Sequence, residues 1–213
     1  MARTLKEKVI DRLIALYIIN RCRTKHNISS VSETKMQKLV FYSEKKLNES
    51  KIKALNYRFI KLLFPTYSEE LRNDLHELTK LGYLQGQYFK EKKKTQLLLE
   101  DFQKVFLDNP EIKELIDSEV DKYAPMETNK LVRKTKRMPW KSRIIEDLKN
   151  GTPLVYPLKV TRSRDLFKIN EEDLEDLAIC LSPKITKDLE KTFDDLRRGR
   201  RLTHAEVFGS LCR

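Results

Sequence analysis

Glycine and proline are scarce in this chain, at 5 and 7 of 213 residues. A sandwich or barrel of short strands uses many more of both in its turns, so the shortage favours a helical protein. Cysteine is rarer still. Cys22, Cys180 and Cys212 are odd in number and widely spaced, without a CxxC or Cys/His cluster. That argues against a disulfide framework and a cysteine-based zinc site, and fits a reducing cytoplasm. Long apolar runs are missing too. The longest, Leu13–Ile19, is far short of the roughly 18 residues a membrane span needs, and no signal-peptide pattern opens the chain. The expectation is a cytoplasmic protein without a membrane partner.

Catalytic signatures are also lacking. His26, His76 and His204 fall in separate elements, and no GxSxG, HExxH, P-loop or GxGxxG motif occurs. The acidic groups Asp194-Asp195 and Glu171-Glu172-Asp173 suit helix starts and solvated faces, because no partnering ligands are spaced around them. The expectation is a protein that is not an enzyme, with no catalytic residue, cofactor or metal.

Charge is abundant. Asp, Glu, Lys and Arg make up 36% of the chain, against about 25% in an ordinary domain. Forty-four Lys and Arg against 32 Asp and Glu leave a net charge of +12, which steers toward polyanions or acidic protein faces. Hydrophobic residues at 39% suffice for one sizeable core, with or without a smaller module.

Periodicity organises the chain as follows. Thr4 with Glu7 forms a capping box before an amphipathic helix that carries Leu5, Val9, Leu13, Leu16 and Tyr17 to about Arg23. A polar loop, Thr24–Ser32, precedes a second helix capped by Ser30 or Ser32. Met36, Leu39, Val40, Ser43 and Leu47 lie on its inner face, with Lys35, Lys38, Glu44, Lys45 and Lys46 mostly outside. Lys51–Phe64 reads as short strand or helix. Thr66 or Ser68 starts a third helix with Leu71, Leu75 and Leu78 inward and Gly82 as its stop. Two β-prone flanks around Glu91-Lys92-Lys93-Lys94 then read as a hairpin. This is the element order of a winged helix-turn-helix.

Two further helices follow at Glu100–Leu107 and Pro110–Tyr123, then a basic run from Asn129 to Ile145 with Trp140 after Pro139. A short strand at Leu154–Val160, an acidic helix at Glu171–Leu181 capped by Asn170, and a helix from Pro183 complete the order. The tail carries Gly199 and a second capping box, Thr203 with Glu206. The expected fold class is mainly α: a winged-helix-like domain with a short β-hairpin at 1–124, a basic connector at 125–150, and a C-terminal helical segment with a short strand at 151–213.

Three surfaces are candidates for binding. On the third helix Arg72, Asn73, His76 and Lys80 face out, with donors suited to phosphates and base edges. Lys92, Lys93 and Lys94 at the hairpin tip would ride on phosphate, whereas Glu69, Glu70, Asp74 and Glu77 on the same helix would repel it. The second candidate is Lys130, Arg133, Lys134 and Arg137, read either as a polyanion site or as a solvated linker. Trp140 is expected to pin this segment to the core. Third, Leu202, Val207 and Phe208 in the tail either close the protein's own core or dock on another protein.

Lys35-Met36-Gln37-Lys38-Leu39-Val40-Phe41-Tyr42 resembles the KLQKLLYF signature of the SocA-like, or Panacea-domain, antitoxins. Tyr57–Leu84 is similar to that family's second half, where a GPYS-like turn leads into a helix with a leucine-glycine stop. Phe64 stands here where the glycine of that turn falls, so the backbone at the turn is expected to differ. The tail DDLRRGRRLTHAEVFG is similar to tails of prokaryotic antitoxins. The resemblance covers about half the chain. It implies an antitoxin without catalytic residues or cofactor that neutralises a cognate toxin by direct binding, with Tyr67, Leu202, Val207 and Phe208 as candidate toxin contacts. Operator DNA is a further partner, bound for autoregulation or, in the alternative reading, by a winged-helix transcriptional regulator.

Overall fold

Thr4 closes a full capping box on the first helix, α1 (Leu5–His26): its hydroxyl accepts from the Glu7 N–H, and the Glu7 carboxylate accepts from the Thr4 N–H. The computed structural model describes residues 3–63, 65–159 and 166–198. The fold is mainly α-helical, with a few short antiparallel strand pairs. Its helical core is α1, α2 (Glu33–Glu49), α3 (Glu69–Lys80), α4 (Lys93–Asp101), α5 (Gln103–Leu107) and α6 (Pro110–Tyr123). Helices α7 (Thr128–Lys136), α8 (Glu171–Leu181) and α9 (Pro183–Arg197) follow.

Helix α1 is amphipathic by sequence but central in the fold. It packs on α3, α4, α6 and α8, so even Asp11 and Arg12 are buried. Helix α2 is enclosed in a similar way by α1, α3, α6 and α7. Lys35, Lys38 and Glu44, expected on its outer face, are therefore buried along with the apolar side. One continuous core runs from Val9 on α1 to Ile185 on α9 and includes Leu131 of α7, Leu154 and Phe167.

Ser30–Ser32, expected as loop, forms β1 and pairs antiparallel with β4 (Tyr88–Glu91), which pairs in turn with β3 (Leu84–Gln85). A strand this short presents no period to read. The sheet order β1-β4-β3, with α1–β1–α2–α3–β3–β4 along the chain apart from a two-residue strand at Phe59–Ile60 between α2 and α3, matches the topology of a winged helix. Gly82, at φ +80°, ends α3 through the Tyr83 N–H on the Leu78 carbonyl and its own N–H on Thr79, a Schellman motif.

The hairpin differs from expectation in its register. It turns at Gly86, at φ +73°, between β3 and β4. Lys92, Lys93 and Lys94 are not at its tip. Lys92 sits at the N-cap of α4, the helix formed by residues expected as the second strand. The run KTQLLLED buries Thr95 and Leu98 three apart, and that helical spacing outweighs the β-propensity of its flanks.

Of Lys51–Phe64, residues 51–63 settle as irregular chain with a short strand, β2 (Phe59–Ile60), paired with β7 (Pro153–Val155), and Phe64 lies outside the described residues. Leu55, Tyr57 and Phe59 fill the core beneath it. The basic run 129–145 is helix α7 followed by the hairpin β5 (Pro139–Trp140) and β6 (Arg143–Ile144). Lys130, Arg133 and Lys134 belong to the exposed face of a packed helix, whose Leu131 and Thr135 are buried against α2, while Lys141 and Arg143 sit on the hairpin.

A buried ion cluster joins the N-terminus to α1 and α3. Asp74 on α3 accepts from Arg3 at 2.6 Å, Arg12 at 2.9 Å and the Tyr57 hydroxyl at 3.1 Å. Asp11 accepts from Arg3 at 2.7 Å and from the Asn56 backbone N–H at 2.9 Å. Burial pushes the Asp11 carboxyl up to about 7 against the pull of Arg3 and Asn56. Removing one member of such a cluster strands the others in low dielectric. Asp74→Ala is expected to cost about 3–5 kcal/mol of unfolding free energy. By contrast, Glu77→Ala, which breaks the exposed pair with Lys80 at 2.8 Å, costs about 0.5 kcal/mol or less. Urea denaturation of both variants measures the contrast.

Candidate binding face on the winged-helix unit

Helix α3 starts because the Ser68 hydroxyl accepts from the Leu71 N–H, and it packs because Leu71, Leu75 and Leu78 are fully buried. The same spacing turns Arg72, Asn73, His76 and Lys80 outward, all exposed. The structure thus brings four of the sequence-derived residues onto one face. Arg72 Nε lies 3.8 Å from Glu33 Oε1, and the His76 ring meets the Phe89 ring edge-on at 6.3 Å.

The acids of α3 are less exposed to a ligand than the sequence implies. Asp74 was expected to repel phosphate, yet it points inward, where Arg3 and Arg12 neutralise it. The reason lies in its position three residues after Leu71 and one before Leu75, on the edge of the buried stripe. Glu70 accepts from Arg58 Nε at 2.6 Å and from the Ser68 hydroxyl at 3.1 Å. Burial raises its carboxyl, but Arg58, a backbone N–H and Ser68 outweigh that and hold it below the usual carboxylate range. Only Glu69 remains exposed, with Glu77 half-buried against Lys80.

The turn before α3 is held from beneath by α2. Gln37 Nε2 donates to the Ser68 carbonyl at 2.9 Å, and Gln37 Oε1 accepts the Ser68 N–H at 2.8 Å. Lys38 Nζ donates to the Thr66 carbonyl at 3.2 Å. Tyr67 pairs with Ile60 through both backbone groups at 2.9 Å. These bonds keep Thr66 at φ 67°, a left-handed conformation that costs a β-branched residue about 1–3 kcal/mol. Tyr67 is left half-buried at the surface beside α3. Sequence reasoning missed Gln37 and Lys38 as internal clamps. The available signal was a polar pair set between Met36 and Leu39, both fully buried.

The other candidates lie elsewhere. Lys92 and Lys93 are exposed at the start of α4. Lys94 is committed to the Leu81 carbonyl at 3.1 Å and lies 4.3 Å from the Tyr83 ring centre. Lys130, Arg133, Lys134 and Arg137 share the outer face of α7 and its C-terminal end, with Lys130 paired to Glu127 at 3.5 Å. Leu202, Val207 and Phe208 lie outside the described residues. Among the described residues, no group of His, Cys, Asp and Glu is placed to hold a metal ion, and no helix is long and apolar enough to cross a membrane. Comparison with protein families, characterised proteins and solved structures finds no match to this chain.

Lys38 is buried, and desolvation alone pulls its ammonium from 10.5 down to about 7. Between those values the unfolded chain binds a proton that the folded protein does not, so stability rises with pH across the window, by at most about 1.4 kcal/mol per unit. Lys38→Met removes this titration. Denaturation at about pH 7, 8 and 9 should show the stability difference moving in favour of the wild type as pH rises.

Proposed function

We propose that the protein is a cytoplasmic antitoxin that neutralises a cognate toxin by direct protein–protein binding, through the turn 65–68 and the outer face of α3. The clamp of Gln37 and Lys38 on Thr66 and Ser68 carries this reading. It joins the two segments that resemble the Panacea-domain signature into a single unit, with Tyr67 and Arg72 displayed at its surface. A turn fixed in the free protein loses little ordering entropy on binding. Tyr and Arg are also the residue types that most often anchor protein interfaces.

Co-expression with the protein encoded beside this one tests the reading. The expected result is co-purification and rescue of growth, with Tyr67→Ala plus Arg72→Ala weakening the complex by at least about thirtyfold while the unfolding midpoint stays close to wild type. Lack of any complex with that neighbour overturns it.

A second reading, binding to operator DNA, is favoured by the winged-helix topology together with the inward turn of Asp74, which clears the α3 face of one acid. Three lysines at the positive end of α4 are each unfavourable by about 0.3–1 kcal/mol without an anion nearby. On this reading promoter DNA binds with a steep salt dependence. Replacing Lys92 and Lys93 by Glu then lowers the log–log salt slope by about 0.9 for each phosphate left without its lysine. An unchanged slope removes those lysines from the interface.

A further inference from the structure

We propose that the groove between the β5–β6 hairpin and β7 binds single-stranded nucleic acid, through residues other than those of the turn 65–68 and α3. The groove has a volume of about 540 Å³ and is lined by Trp140, Lys141, Arg143, Leu148, Pro153 and Tyr156 among others, with no carboxylate residue among them. Tyr156 is 58% exposed, although its backbone carbonyl is held by Asn48 Nδ2 at 3.1 Å. Trp140 is half-buried, its ring 6.4 Å from that of Phe41. Two aromatic surfaces on an anchored floor therefore share the groove with two cations.

The floor is rigid. Lys61 pairs through its backbone with Thr152 and Gly151 at 2.8 Å each, and Lys61 Nζ donates to Asn150 Oδ1 at 3.0 Å. Among the described residues four cations of this face take part in no ion pair. Ion pairs here join Lys130 to Glu127 and Lys136 to Glu146; Arg133, Arg137, Lys141 and Arg143 take no part in them. Arg133 and Arg137 continue the positive surface from the hairpin along α7, which runs directly into β5.

The hairpin turn adds an independent sign. Trp140 pairs with Arg143, leaving Lys141-Ser142 as a two-residue turn, and Lys141 sits at φ 56°. Glycine is the favoured residue where such a turn requires positive φ. A lysine there stores backbone strain while presenting a charge at the groove mouth, the association of strain with function expected at binding sites.

The chemistry chooses the occupant. An acidic peptide would use the cations and leave the rings idle, and a duplex hides its base faces. A single strand offers flat faces for Trp140 and Tyr156 and phosphates for Lys141, Arg143, Arg137 and Arg133 at once.

Trp140 is the chain's single tryptophan, so its fluorescence reports on this groove alone. The full-length protein is titrated with a deoxythymidine oligomer of about 15 nucleotides. Saturable quenching is expected, with affinity falling steeply between about 50 and 200 mM salt. Tyr156→Ala should weaken binding about tenfold. Lys141→Glu with Arg143→Glu should lower the log–log salt slope by about 1.4, near 0.7 for each phosphate no longer neutralised, with circular dichroism matching wild type. Lys141→Gly should raise the unfolding midpoint while weakening binding, which separates a weakened interface from a damaged fold. The proposal is overturned by absence of quenching, by equal affinity for the matching duplex, or by polyglutamate binding as tightly as the oligomer. Binding of the oligomer by a protein that fails to bind its neighbour's product would support this groove and leave the antitoxin reading to fall by itself.

Discussion

Asp74 meets two arginines and a tyrosine inside this protein, and that meeting ties α3 to α1, to the residues before α1 and to the segment after α2. Arg3 comes from the residues before α1, Arg12 from α1, Tyr57 from the irregular segment after α2, and Asp74 from α3. Arg12 also donates to the carbonyl of Leu181 at the end of α8. Such a cluster adds little net stability over apolar packing, because desolvation of the charges offsets most of their attraction. Its effect is on uniqueness. An α3 rotated by one residue would bury Asp74 without its arginines or present them without a carboxylate, so only one orientation is tolerated. That orientation sets Arg72, Asn73, His76 and Lys80 at the surface.

Helix α2 imposes the second constraint, at a cost. It buries Lys38 with a carbonyl as partner, Glu44 with burial raising its carboxyl well above the usual range, and a Thr66 hydroxyl that has no hydrogen-bond partner among the described residues, beside a left-handed backbone. A core filled only for stability would carry apolar side chains there. Lys38, together with Gln37, fixes the 65–68 turn relative to α3 instead. Strain and burial of this kind are what a preformed binding surface requires, since the ordering is complete before the partner arrives.

The surplus positive charge is unevenly distributed. Around α3 the charges are largely engaged: Arg58 with Glu70, Lys80 with Glu77, Arg72 near Glu33. Along α7 and the β5–β6 hairpin, Arg133, Arg137, Lys141 and Arg143 stand apart, among the described residues, from the ion pairs of their neighbours. A face with balanced charge suits a folded protein partner, and one with cations outside the described ion pairs, an exposed tyrosine and a half-buried tryptophan suits a strand of phosphates and bases. One chain thus offers two surfaces of different chemistry.

Local physics made much of the helical architecture legible. The capping box of Thr4, the Asn170 cap, the Gly82 stop of α3 and the Leu71, Leu75, Leu78 stripe all act within one or two turns, and each lies where the sequence places it, while α3 starts at Ser68, one of the two starts the sequence offers. Strands β1 and β2 were illegible or ambiguous because two or three residues carry no period. The hairpin register was misread because a basic run resembles a tip until Thr95 and Leu98 are seen to pack as a helix. Burial of Lys38, Glu44 and Asp74 could not be read either. A polar residue faces inward only when another element brings it a partner or encloses it, and those partners come from up to 71 residues away. Sequence by itself determined the helices and their caps, since the hydrogen bonds and apolar spacings involved are local. Tertiary structure alone decided which charges turn inward and which cations remain for a partner, since desolvation and ion pairing depend on every element packed around them.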